Sequence, residues 1–460
     1  MPSLSHSPTA LRHYFQRTAF LLLSLLCIGP LHAEAINNAT PGLIKECMVE
    51  PVFNNTACIY HNRFQAQRQN ILFIHGINGN AQDWQAQIEP LIDDYNLLLP
   101  DLPGFGASST AGAEYTPDNY VRFIKFISQR FSNGPFVLIG HSLGGTIALQ
   151  YAALYPDEVE RVLAANVAGV LHKIAYTKSV TDSWTSRFFG DSIGRFLGGA
   201  TGEWMSRVEG SRHPGTEPKA GTAYAPGTIA SYALIYSNLS PYLPMIKAPA
   251  LLIWEQGDKI APLRTGQALA AQLNNSYLDV IPGQGHIPMR DVPTLFNQKM
   301  LAFLQATNDE LAEKSRRQKV LPRQGKDNWV ASCKNRRNME FEGDFESLEL
   351  HQCASIRIIN STIRTLTLYE SRVEIINSRI GTLRATGSDA SITASRLEGD
   401  VPLTVSRSRI DLAGVRLKGK TSSVNTLIPS ELVFSISKVD SPIFTGPMHG
   451  LILMATDEKL

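Results

Sequence analysis

The ten residues Phe136-Val-Leu-Ile-Gly-His-Ser-Leu-Gly-Gly145 constrain this chain more than any other stretch. Four apolar residues read as a buried strand, and the run Thr146 to Leu154 that follows reads as a helix. Between them lies Gly-x-Ser-x-Gly. That pattern suits a strained strand-to-helix turn that lifts the serine hydroxyl into the open, with glycines where neighbouring side chains would collide. Ser142 is therefore the candidate nucleophile. His141, beside it, points elsewhere and is read as structural.

A serine hydroxyl is a weak nucleophile and needs a base oriented by an acid. Among the eleven histidines, His286 alone follows a strand-like run, Tyr277–Ile281, near the end of the region that holds Ser142. Asp258 also follows a strand and precedes His286 in sequence. It would hold His286 in one tautomer and stabilise the imidazolium. Glu255, closer to the strand end, is the rival acid. Charge developing on a substrate oxygen needs fixed donors, and the backbone N–H groups of Leu143 and of Ile77, in the loop after Ile71–Ile74, are the candidates. His75, at the head of that loop, reads as a buried buttress.

From about Cys47 to Leu304, apolar runs alternate with helical stretches. The candidate strands are Ile71–Ile74, Leu97–Leu99, Phe136–Ile139, Val162–Asn166, Leu251–Trp254 and Tyr277–Ile281. This alternation predicts an α/β sheet with its ligand crevice at the carboxyl ends of the strands. About 80 residues separate two strands between Gly169 and Lys247, too many for an ordinary connection, and predict a lid over about 169–247. Trp184, Phe188, Phe189, Phe196 and Trp204, interleaved with glycines, would line a substrate pocket or pack a helical cap onto the core.

Several ordered motifs now resemble one family. His75-Gly-Ile-Asn-Gly79 with Trp84, Asp101-Leu-Pro-Gly-Phe-Gly106 with Ser108, Gly140-His-Ser-Leu-Gly144, Asp258 with Pro262, and Gly285-His-Ile-Pro288 with Phe296 and Asn297 resemble the lid-bearing α/β hydrolases, the esterases, lipases and their relatives. The resemblance covers about residues 47–304 and implies a serine hydrolase whose catalytic residues are Ser142, Asp258 and His286. One departure is Trp254-Glu-Gln-Gly-Asp258, where the family more often has glycine directly after the tryptophan position.

Residues 1–35 read as an export signal: Arg12 and Arg17, then the apolar run Ala19–Ile28, then Ala33-Glu-Ala35. A membrane anchor is the alternative, but that run is about half the roughly 20 residues a bilayer needs. A secreted or periplasmic protein is expected. Four cysteines then remain, an even number in an oxidising compartment. Of three possible pairings, Cys47–Cys58 with Cys333–Cys353 joins neighbours in sequence, the alternative to any pairing being buried free thiols.

The hydrolase domain is expected over 36–304 and a basic helical linker over 305–328. A β-repeat domain is expected over 329–460. In the last, Ser355–Ile363, Arg372–Ile380, Asp389–Leu397 and Arg409–Leu417 echo one another at steps of about 17, 17 and 20 residues. That period predicts a parallel β-helix with Ile358, Ile375, Ile392 and Leu412 in one ladder and Ser361, Ser378 and Ser395 at a turn, an antiparallel sandwich being the alternative.

A formal net charge of +2 gives no support to a nucleic-acid partner. No Cys/His cluster has metal-ligand spacing and Gly104-Phe-Gly106 stands alone, so no cofactor is implied. The expected activity is hydrolysis of a small-molecule or lipid ester through an acyl-enzyme on Ser142. The competing reading is a surface or envelope binding module in which the repeats dock a partner and the hydrolase acts on another acyl substrate or is secondary.

Overall fold

Each predicted strand of the hydrolase region is apolar at nearly every position, which suits a sheet covered on both faces. In Asn70–Ile74, Leu72 and Ile74 enter one core while Ile71 and Phe73 enter another on the opposite face. The computed structural model describes residues 42–110, 114–132, 134–185, 226–283, 285–319 and 329–460, with the side chains of 180–185 left aside. The expected export segment and Phe188, Phe189, Phe196 and Trp204 lie outside the described residues, as does the side chain of Trp184.

Eight strands form the first sheet: β1 (Ile44–Glu50), β2 (Asn55–His61), β3 (Asn70–Ile74), β4 (Asn96–Pro100), β5 (Phe136–His141), β6 (Val159–Ala165), β7 (Ala250–Glu255) and β8 (Ser276–Ile281). Their order is β1-β2-β4-β3-β5-β6-β7-β8. Strands β3 to β8 are parallel, joined through α1 (Pro117–Phe131), α2 (Leu143–Leu154), α3 (Lys173–Thr185), α4 (Pro226–Ile235) and α5 (Leu263–Gln272). All six expected strands are present. The antiparallel hairpin β1–β2 is an addition, and Cys47 faces Cys58 across it at disulfide distance.

The expected helical linker does not run on from α6 (Pro293–Gln305). Thr307 and Glu310 form a reciprocal capping box that starts a new helix, α7 (Asn308–Gln318). This part of the expected linker packs on the edge of the sheet. Gln318 donates to Leu278 O and accepts from Leu278 N, while Ser315 Oγ accepts from Ser276 N, so the edge strand's backbone groups are met by side chains.

Beyond Trp329 the repeats stack in parallel within one sheet, which excludes the antiparallel sandwich. One ladder runs through β9 (Arg372–Ile376), β11 (Asp389–Thr393), β13 (Arg409–Ala413) and β15 (Ser430–Asp440). A second joins β10 (Arg379–Thr386), β12 (Arg396–Gly399), β14 (Arg416–Gly419) and the end of β15. All belong to one 13-stranded sheet, with Thr445–Met454 added antiparallel on β15. Ile358, Ile375, Ile392 and Leu412 lie in register and fully buried, as the repeat predicts. The turns repeat too. Asn360, Asn377 and Ala394 adopt left-handed φ of 46°, 48° and 50°, each followed by a buried serine. Ser361 N donates to Ser378 Oγ and Ser378 N to Ser395 Oγ, at 3.1 and 3.0 Å. Cys333 and Cys353 lie at disulfide distance at the start of this stack.

Leu43–Leu460 forms one compact unit. Ala413, Val433 and Ile436 of the stack join the hydrolase core. Arg264, in the first turn of α5, donates from Nη1 to Asp411 Oδ2 at 2.6 Å and from Nε to Thr393 Oγ1 at 2.7 Å. The stack thus clasps the helix that follows the Asp258 loop directly.

Candidate active site

The turn between β5 and α2 holds Ser142 at φ 52°, ψ −117°, a combination an L-residue adopts only under constraint. Glycine is required around it. A Cβ on Gly144 would lie 2.0 Å from Ile74 O, and one on Gly140 2.3 Å from Gly144 O, so strand and helix approach more closely than any side chain allows. Ser142 is nearly buried, 6% exposed.

Three side chains from three loops converge there. Ser142 Oγ donates to His286 Nε2 at 3.0 Å, and His286 Nδ1 donates to Asp258 Oδ2 at 2.8 Å. Asp258 is buried, and its Oδ1 accepts from Ile260 N at 2.7 Å and Ala261 N at 2.9 Å, so the carboxylate is held on both oxygens. Glu255 does not enter this chain. It lies beneath the histidine loop and accepts from Gly285 N, with its acidity weakened by burial and by nearby Asp291.

The donors expected for an oxyanion also adjoin Ser142. Leu143 opens α2, so its N–H has no acceptor within the helix. The Gly76 backbone lies so close that a Cβ there would be 3.1 Å from Ser142 Cβ. The Gly76 carbonyl accepts from His75 Nδ1 at 2.7 Å and from Gly79 N at 3.1 Å. Because the peptide is planar and trans, fixing that carbonyl fixes the opposite direction of the Ile77 N–H. His75 Nε2 accepts from Leu102 N at 2.9 Å, completing both ring positions, and burial holds the ring neutral by lowering its basicity. The buttress reading of His75 therefore becomes specific, since this ring aims the Ile77 N–H.

One residue of the site, Asn166, escaped the sequence reading, and His141, read there as structural, has a specific role in the histidine loop. Asn166, just past β6 with φ 43°, donates from Nδ2 to Asp258 Oδ2, the oxygen that also accepts from His286 Nδ1. An asparagine at a strand end, suited to the left-handed region, was the available signal. His141 Nε2 donates to the His286 backbone carbonyl at 2.7 Å and anchors the base from behind. Burial and the adjacent His286 ring keep His141 well below the usual imidazole range, hence neutral.

The Asp101 motif is structural. Its carboxylate accepts from Ala81 N and Ala107 N, both at 2.7 Å, and so ties the loop after β3 to the loop after β4.

A hydroxyl given to an imidazole that a buried carboxylate orients, on a strand-to-helix turn of a mostly parallel sheet, defines a class. Residues 69–291 match the family model described as alpha/beta hydrolase fold, and this part of the chain has that fold. The C-terminal stack lies outside that match. Among curated relatives, the uncharacterized hydrolase YugF of Bacillus subtilis is 26% identical over 266 residues, 54% of this chain and 94% of its own length. An uncharacterized protein of Mycobacterium tuberculosis is 24% identical over 257 residues, 52% of this chain and 75% of its own. Solved structures include the α/β hydrolase MGS-M2 from a deep-sea metagenome, with 22% identity, a TM-score of 0.45, and coverage of 57% of this chain and 98% of that one. A thermophilic esterase from Thermogutta terrifontis has 21% identity and a TM-score of 0.42 over 57% of this chain and 98% of its own.

Proposed function

We propose that this chain is an exported serine hydrolase that cleaves carboxylic esters through an acyl-enzyme on Ser142. The observation that carries the reading is the continuous hydrogen-bond chain Ser142–His286–Asp258, with Ser142 on a strained turn between two backbone N–H groups. In the proposed cycle, Ser142 Oγ attacks the acyl carbon as His286 Nε2 takes its proton. Asp258 stabilises the imidazolium without itself being protonated. The N–H groups of Leu143 and Ile77 meet the charge on the carbonyl oxygen, each such donor being worth about a hundredfold or more in rate. His286 returns its proton to the leaving alcohol. Water, deprotonated by the same ring, then releases the acid.

Export is supported by the apolar N-terminal run and by two cysteine pairs at disulfide distance. No helix among the described residues is long and apolar enough to cross a membrane. The stack's contacts through Arg264 favour a role in bracing the hydrolase over that of an independent binding module.

The test is labelling of the purified protein by a fluorophosphonate, followed by turnover of p-nitrophenyl esters of graded chain length. Ser142→Ala should abolish both. A folded wild-type protein that neither labels at Ser142 nor turns over any ester would refute the proposal.

A further inference from the structure

The stack carries two outward rows of charge that differ in kind. Along one ladder, Arg372 faces Asp389, Asp389 faces Arg409, and Arg409 faces Glu431, so signs alternate and the row neutralises itself. Along the other, Arg379 faces Arg396, Arg396 faces Arg416, and Arg416 faces Lys438, four cations in direct register. The intervening Ile380, Leu397, Leu417 and Val439 are buried, which puts all four cations on the outer side. Like charges directly opposite each other destabilise a sheet, so a row of this kind needs a counter-charge.

The protein supplies part of it. Arg379 and Arg416 reach Glu398 and Asp440 at 3.7 and 3.6 Å, and their Nε atoms, like that of Arg409 in the other row, are buried without an acceptor. Arg396 has no ion-pair partner among the described residues. Arg396, Arg416 and Lys438 instead form one wall of a cleft of about 630 Å³. Gln267, Gln272 and Lys319 of the hydrolase form the other. No aspartate or glutamate is among the described residues that line it. The cleft on the alternating side is lined by Glu340, Glu374, Asp389 and Asp411 as well as by its cations.

We propose that the cleft between α5 and the Arg396–Arg416–Lys438 row binds a chain-like oligophosphate. Guanidinium groups present paired donors that match phosphate oxygens, and the row repeats them at the strand spacing of about 4.8 Å. Glutamine and asparagine amides complete a donor-rich lining, and Asp440, 3.6 Å from Arg416, is the carboxylate a phosphate must outcompete. A cleft walled on two sides admits a chain and not a flat surface, so the phosphate belongs to a soluble or extended molecule and not to a bilayer face. This site lies apart from Ser142 and does not depend on the ester reading.

The test is calorimetric titration of the full chain with sodium tripolyphosphate, with orthophosphate as control and vesicles of phosphatidylglycerol in phosphatidylcholine as a separate arm. One tripolyphosphate per chain should bind, more tightly than orthophosphate, and added salt should weaken it. Arg396→Gln should lower the affinity about tenfold, as loss of one charge-assisted contact implies, and Arg396→Glu further, with unchanged circular dichroism and ester turnover. Arg409→Gln, on the alternating row, should leave the affinity unchanged. Silence toward tripolyphosphate at low salt overturns the proposal, whether or not vesicles bind. Equal affinity in wild type, Arg396→Gln and Lys438→Gln does so as well.

Discussion

The hydrolase and the C-terminal stack use the same two ingredients, a serine and a left-handed residue, to opposite ends. In the hydrolase the serine itself is strained, at φ 52°, and its hydroxyl donates a hydrogen bond to His286 Nε2. In the stack the strain falls on the residue before the serine, and the hydroxyl is saturated. Ser378 Oγ donates to Ile376 O at 2.8 Å and accepts from Ser361 N. A hydroxyl with both roles filled by backbone has nothing left to give a base. What separates the proposed nucleophile from a turn lock is therefore the partner of the hydroxyl and not the residue type.

The sharpest way to break this contrast is to remove the hydroxyls one at a time. Ser142→Ala should lower ester turnover at least about a thousandfold while leaving the unfolding midpoint nearly unmoved, because the loss falls on the transition state. The two carboxylates near His286 give the next largest contrast. Asp258→Asn should cost about a thousandfold or more, since an amide favours the wrong imidazole tautomer. Glu255→Gln should keep turnover within a few fold, because that side chain only supports the Gly285 loop. Kinetics on both variants measure the difference, and a reversal of their order would make Glu255 the acid.

The contrast also explains what was legible beforehand. Glycines at the elbow, apolar strands buried on two faces and a seventeen-residue period are local signals, and each marks a local or strictly repeated constraint. Asn166 escaped, and with it the particular partner of His141, because both contacts exist only once distant loops meet at Asp258 and His286. The clasp of Arg264 on Asp411 joins residues 147 apart with no pattern at either end. The β1–β2 hairpin escaped because its strands are half polar, with burial alternating along β1 and not continuous as in β3 to β8.

In the stack the effect should appear in stability alone. Ser378→Ala leaves the buried Ser361 N–H without its acceptor, which costs about 1–3 kcal/mol. Denaturant unfolding should record that loss while ester turnover stays within twofold of wild type. Comparable damage to activity would show that the stack's turns reach the site and would collapse the distinction between the two regions.

The smallest effect tests where the two regions touch. His172, ahead of α3, and His449, in the strand that closes the stack, place their rings 5.4 Å apart. Burial lowers the basicity of both, that of His449 to about 4, with His172 as a further cause. A histidine whose folded value is depressed stays neutral in the native state while the unfolded chain takes up a proton near pH 6.5. Between about pH 6.5 and 4 the unfolded state thus binds more protons, and stability falls as the pH is lowered through that window. Each such group contributes at most about 1.4 kcal/mol per pH unit. His75 and His141 are depressed as well, so the total slope belongs to several rings. His449→Gln should remove only its own share, flattening the fall in unfolding free energy below pH 6.5 while leaving turnover at neutral pH unchanged. An unaltered slope would mean that this ring is protonated alike in both states, and that the contact between hydrolase and stack is more open to water than its geometry indicates.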